Sequence, residues 1–85
     1  MKTFKYMITD SMGLHARPAG MLVKEAKQYK SRIMISAGDK SAEATKLLAL
    51  MGMGIKTGTE ITVTIEGEDE DICTENMCSF FGKNL

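Results

Sequence analysis

Polar and apolar residues alternate from Lys2 to Ile8, with Phe4, Tyr6 and Ile8 on one side and Thr3, Lys5 and Met7 on the other. That pattern predicts an opening strand with one buried face. Asp10-Ser11-Met12-Gly13 breaks it. From Ala16 to Tyr29 the period lengthens: Ala19, Leu22, Val23 and Ala26 follow an i, i+3, i+4, i+7 spacing while Lys24, Lys27 and Lys30 fall mostly off that stripe, which predicts an amphipathic helix. Gly20 in its first turns costs about 1 kcal/mol relative to alanine and leaves the backbone bare for close approach. Arg32 to Ala37 reads as a short strand, Gly38-Asp39 as a tight turn, and Lys40 to Ala44 as a weak strand returning beside it. Lys46 to Met51 is rich in strong helix formers, and Gly52 and Gly54 can supply a left-handed stop, so a two-turn helix is expected there. Beyond Gly58, Ile61, Val63 and Ile65 alternate with Glu60, Thr62, Thr64 and Glu66 in the clearest strand of the chain, which Gly67 stops. Glu68-Asp69-Glu70-Asp71 places four acids where the free amides of a helix start favour negative charge. Cys73, Met77, Phe80 and Phe81 then follow at i, i+4, i+7 and i+8, with Gly82 expected to end the helix.

The resulting order is β-α-β-β-α-β-α. Strands with one apolar face need a cover, and three amphipathic helices can cover one side of a sheet of four. The expected fold is therefore α+β, a two-layer domain in which a four-stranded antiparallel sheet carries three helices on one face and water on the other. Eighty-five residues leave room for one such domain, residues 1–85, and no repeat or linker interrupts it.

Charge changes the picture only locally. Eleven lysines and arginines balance eleven acids, which disfavours a uniformly basic nucleic-acid binder or an acidic disordered tail. The balance hides an asymmetry, since residues 1–58 hold ten cationic and four acidic side chains and residues 59–85 hold one and seven. The first part can attract anions or an acidic partner. The outward set Lys5, Thr62, Thr64 and Glu66 lacks the aromatic and basic residues of a sheet that reads nucleic acid, so no nucleic-acid partner is expected. No apolar run approaches the roughly 20 residues of a membrane span, and the first residues alternate rather than form a signal-peptide core. A cytoplasmic protein without membrane insertion is the expectation. Cys73 and Cys78 lie about 140° apart around a helix axis, which argues against a mutual disulfide. With no second pair and the one histidine remote, a zinc site is also disfavoured, and buried or half-buried thiols are expected. No metal and no cofactor are expected.

The candidate chemistry lies in Gly13-Leu14-His15-Ala16-Arg17-Pro18-Ala19. A lone histidine is ordinarily a packed or solvated bystander, but here its neighbours matter. Pro18 marks a helix start, because its missing N–H has no partner in a first turn anyway. Arg17 precedes proline and resists helical dihedrals, which leaves the start between Ala16 and Pro18. Either start sets the imidazole over the positive end of the helix, beside the first free amides and a guanidinium, an environment that binds an anion. A neutral imidazole is a competent nucleophile toward phosphorus, and the phosphoryl oxygens can then accept hydrogen bonds from backbone amides and from the planar fork of Arg17. The dipole contributes about 0.3–1 kcal/mol, so the group is held yet transferable. With one histidine and no Ser/His/Asp or Cys/His arrangement within reach, the chain is equipped to carry a group rather than to turn over a substrate alone.

This heptapeptide resembles the active-site signature of HPr, the histidine-containing phosphocarrier of the bacterial sugar phosphotransferase system. The likeness extends along the chain through Lys2 to Ile8, Leu47-Leu48-Ala49-Leu50-Met51-Gly52-Met53-Gly54, Gly58 to Val63 and Gly67 to Glu70. It implies an open-faced β-sandwich in the order derived above. It also implies a phosphoryl group accepted on Nδ1 of His15 from phosphorylated enzyme I, itself charged by phosphoenolpyruvate, and passed to sugar-specific IIA domains, with Arg17 and the amides at Ala16 and Arg17 steadying it. The partner surface it implies consists of Met12, Ala16, Arg17, Gly20, Leu47, Leu48, Met51 and Gly54, with Lys24 and Lys27 at the rim. Leu47, Leu48 and Met51 cannot all point inward from two turns of helix, and flexible methionine suits a surface that meets several partners; for Leu50, core and surface are both open. The carrier is expected to act as a monomer. In many family members the residue in register with Lys46 is a serine phosphorylated by a regulatory kinase; Lys46 has no hydroxyl and the opposite charge to phosphoserine, which puts that switch in doubt, and Thr45 stands one residue and about 100° away. Other readings are a regulatory carrier of a nitrogen-type chain, a domain serving a dihydroxyacetone kinase system, or a non-catalytic docking module, which would need no nucleophile at a helix start.

Overall fold

The structure, a computed structural model, describes residues 1–85. Its elements are β1 (Lys2–Met7), α1 (Ala16–Ala26), β2 (Arg32–Ala37), β3 (Lys40–Glu43), α2 (Leu47–Gly52), β4 (Glu60–Glu66) and α3 (Glu70–Asn84). The strands form one antiparallel sheet in the order β1-β4-β2-β3. Register follows the pleat. Phe4 faces Val63, Val63 faces Ile35 and Ile35 faces Ala42, so one inward row crosses all four strands. The alternate row Thr3, Thr64, Met34 and Glu43 lies on the opposite, uncovered face. The helices bury their stripes against the inward rows, through Ala19, Leu22 and Ala26 of α1, Leu50 of α2, and Cys73, Met77 and Phe81 of α3. Phe81 is fully buried, with its ring centroid 5.7 Å from Phe4 and 5.5 Å from Tyr6. It joins α3 to the sheet's edge strand. The open-faced α+β architecture is thus the one the hydrophobic pattern dictates.

Element ends differ from the pattern where hydrogen bonding continues in another form. α1 stops at Ala26 rather than Tyr29, because the amides of Gln28 and Tyr29 reach back only three residues, to Glu25 and Ala26, in a tightened last turn. β3 loses Ala44, although the Ala44 amide still donates to the Ile33 carbonyl. α3 begins at Glu70, with Asp69 as its N-cap and Glu70 and Asp71 in its first turn, and it runs through Gly82 to Asn84, where the Asn84 side-chain amide donates to the Phe80 carbonyl at 3.0 Å. Gly82 adopts ordinary negative φ and ends nothing. The cysteines are free; Cys73 is buried as expected, but Cys78 is exposed, because its position rotates off the Cys73–Met77–Phe81 stripe. Burial pushes the Cys73 thiol up to about 11, so it stays protonated at neutral pH.

Asp69 precedes α3 without capping it through its side chain. Its carboxylate instead crosses to the start of β2, accepting the Lys30 and Ser31 amides at 2.9 Å each and the Ser31 hydroxyl. The Ser31 hydroxyl, then the Lys30 amide, hold the Asp69 carboxyl below its ordinary value. A depressed folded value means that the unfolded chain binds the proton more readily. Asp69 therefore contributes stability above the ordinary carboxylate range and loses it as pH falls through the depressed value. Asp69→Ala is expected to lower the urea midpoint at pH 7 and to converge with the parent in strong acid; equal offsets at both pH values would show that ionisation has no part.

Candidate functional site

The site is built on the loop between β1 and α1. Asp10 organises it twice, its carbonyl accepting the Gly13 amide at 2.9 Å and its Oδ1 accepting the Met12 amide at 2.9 Å. Gly13 has φ +69° and presses against the segment after α2, where a side-chain Cβ would lie 2.7 Å from the Cα of Lys56. The adjoining Leu14 is buried and donates its amide to the Ile55 carbonyl at 3.0 Å. The chain therefore enters His15 from a fixed direction.

His15 is itself the N-cap of α1, with extended backbone and no capping hydrogen bond from its side chain. Its carbonyl accepts the Ala19 amide at 2.9 Å. α1 starts at Ala16, the earlier of the two expected positions. Pro18 has no N–H, so Ala16 and Arg17 carry the two first-turn amides without an intrahelical acceptor. The His15 ring is half-buried beside a cavity of about 300 Å³ lined by Asp10, His15, Arg17, Pro18, Met21, Lys83 and Asn84. Nε2 of His15 stands 3.7 Å from Oδ1 of Asp10. Just after α3, the Leu85 main-chain oxygen accepts the amides of Thr9 at 2.7 Å and Asp10 at 3.0 Å and the Thr9 hydroxyl at 3.1 Å, which brings the last turn of α3 to the loop. A histidine on a cavity that Arg17 and Lys83 also line, at the head of a helix with two free amides, has the chemistry to attack an electrophilic phosphorus and hold the resulting anion.

The other sequence-predicted residues form the surroundings. α2 packs against α1 and β3. Leu50 points into the core with no exposed surface, whereas Leu47, Leu48 and Met51 remain 39 %, 83 % and 41 % exposed. Met12, Ala16, Arg17, Lys24, Lys27 and Gly54 are exposed and Gly20 is half-buried, with nothing within 4 Å of the position a Cβ would take. Lys46 is the N-cap of α2 and is exposed; its carbonyl accepts the Leu50 amide at 3.0 Å and its side chain makes no capping hydrogen bond. Four cavity residues escaped the sequence reading: Asp10, Met21, Lys83 and Asn84. Met21 is signalled by lying one helical turn beyond Arg17. Lys83 and Asn84 reach the site only through the tertiary clamp at Leu85, which no local pattern announces.

The chain belongs to the PTS-HPr family, whose model, described as the PTS HPr component phosphorylation site, matches residues 2–83. It is 48 % identical over 71 residues to the phosphocarrier protein HPr of Mycoplasma capricolum, covering 84 % of this chain and 80 % of the relative. A solved mycoplasma histidine-containing phosphocarrier protein superposes with a TM-score of 0.89 at 42 % identity, covering 93 % of this chain and 90 % of that one. HPr-C-His from Thermoanaerobacter tengcongensis gives 0.92 at 27 % identity, covering 99 % and 94 %.

Proposed function

We propose that this HPr-family protein receives a phosphoryl group on Nδ1 of His15 from phosphorylated enzyme I and surrenders it to sugar-specific IIA domains in the cytoplasm. The observation that supports this reading most is the position of His15, the one histidine of the chain, at the N-cap of α1 with its ring on the cavity that Arg17 also lines. Arg17 and the amides of Ala16 and Arg17 neutralise the phosphoryl oxygens, and no cofactor or metal enters the exchange. The protein acts as a substrate of other enzymes rather than as a catalyst. Incubation with enzyme I and phosphoenolpyruvate should add a single acid-labile phosphoryl mass; an unmodified protein under conditions that charge enzyme I would overturn the reading.

Both partners dock over the exposed face of α2 and the head of α1, where Leu47, Leu48 and Met51 offer apolar surface beside Met12 and the bare backbone at Gly20, with Lys24 and Lys27 at the rim. Burying a half-exposed methionine in an interface contributes about 1–2 kcal/mol, and a carboxylate in its place must be desolvated without a partner. Met51→Asp is therefore expected to slow transfer about tenfold or more while the melting temperature stays within a few degrees of the parent. A variant that unfolds would place Met51 in the core. Lys46 offers no hydroxyl at the position where the family's regulatory serine falls, so that switch has no acceptor at this residue.

A further inference from the structure

Asp10 is the one carboxylate among the residues that line the His15 cavity, and its place is fixed independently of the ring. Its Oδ1 accepts the Met12 amide at 2.9 Å, its carbonyl accepts the Gly13 amide, and its own amide donates to the Leu85 carbonyl. That oxygen lies 3.7 Å from Nε2 of His15, within about 1 Å of hydrogen-bond distance, a gap that apo sites commonly close in the reacting complex. We propose that Asp10 is the positioning residue of His15, holding the imidazole proton on Nε2 and so leaving the Nδ1 lone pair free for phosphorus.

The proposal rests on the carrier reading and specifies how the ring works. A carboxylate accepts and cannot donate, so it favours the tautomer whose N–H faces it. In that tautomer Nδ1 attacks directly. The P–N bond forms with the Nδ1 lone pair as the donor's bond to the same phosphoryl group breaks, and its electron pair leaves with the donor. No proton has to be removed. The ring, now carrying phosphoryl on Nδ1 and hydrogen on Nε2, bears an imidazolium charge that the Arg17 and Lys83 cations on the same cavity oppose and the Asp10 carboxylate offsets. Onward transfer returns the bonding pair to Nδ1 and restores the neutral ring with its proton still on Nε2.

The test is long-range ¹H–¹⁵N correlation of the unphosphorylated His15 ring, read together with phosphoryl transfer from enzyme I, in the parent, Asp10→Asn and Asp10→Ala. The Nε2–H tautomer should dominate in the parent. The Nδ1–H fraction should rise about threefold or more in Asp10→Ala, and transfer at saturating partner should fall about tenfold in both variants. Asp10→Asn keeps an oxygen for the Met12 amide, so it carries the same test through its transfer rate and tautomer ratio if the alanine variant fails to fold. A parent ring dominated by Nδ1–H, or a tautomer ratio unmoved in a folded variant, overturns the role of Asp10 while leaving an adduct on the parent intact. A parent that takes no adduct overturns the carrier reading and this role with it.

Discussion

His15→Ala is expected to take up no phosphoryl group from charged enzyme I under conditions in which the parent is fully converted. No other nitrogen or sulfur side chain is fit to take over. The chain has no second histidine, and lysines and arginines are protonated at neutral pH. Burial raises the Cys73 thiol and partial desolvation raises that of the more exposed Cys78, which keeps both protonated. The substitution should leave the fold alone, because the imidazole donates to and accepts from no neighbour within hydrogen-bond distance and is only half-buried. A stability change within about 0.5 kcal/mol is the expectation for a surface truncation of this kind. Intact mass spectrometry at neutral pH checks the first statement and thermal unfolding the second. A phosphoryl adduct persisting on the alanine variant would put the acceptor elsewhere.

Gly13→Ala carries the second large effect, this time through the scaffold. The residue combines φ +69° with an approach to the Ile55–Lys56 backbone that leaves no room for a methyl group. An alanine in the left-handed region costs about 1 kcal/mol before any clash, and the contact is with main chain, which cannot rotate away. A loss of about 2–4 kcal/mol is expected, which in a chain of this size lowers the melting temperature by about 10–25 °C. The loop from Asp10 must also shift, so transfer should fall even at temperatures where the variant remains folded. A variant within about 0.5 kcal/mol of the parent would show that the loop has a second, equally good course. Gly20 offers the opposite case. It is open on its outer side, so Gly20→Ala is tolerated sterically and should raise stability by up to about 1 kcal/mol. A methyl group there would nonetheless obstruct any partner that approaches the bare backbone.

Periodicity made the sheet and helices legible because the pattern of burial is set by which face each element turns to the core. Ile61, Val63 and Ile65 are buried in alternation with half-exposed Thr62 and Thr64, as their spacing demands. Leu50 is undecidable from sequence alone, since a helix of six residues is too short for a periodic stripe to mark which single position faces the core. The ends of α1 and α3 were less legible for a different reason: the last turns are decided by which carbonyl each amide finds, not by side-chain polarity. Gly82 shows this well, sitting inside α3 with room around it. At the site, His15, Ala16, Arg17 and Pro18 stand together in the chain and could be read together. Asp10, Lys83 and Asn84 join them across separations that only the folded topology closes.

The clamp at Leu85 links the end of α3 to the loop between β1 and α1 at the place where chemistry is proposed. Its carbonyl serves as acceptor for two consecutive amides, Thr9 and Asp10, so fraying of the last helical turn would strip both at once. Those amides and the end of α3 should then exchange with deuterium as one cooperative unit, with closely matched opening free energies. Order at the nucleophile's doorstep is in that sense leased from a helix terminus, ordinarily the least ordered part of a small protein.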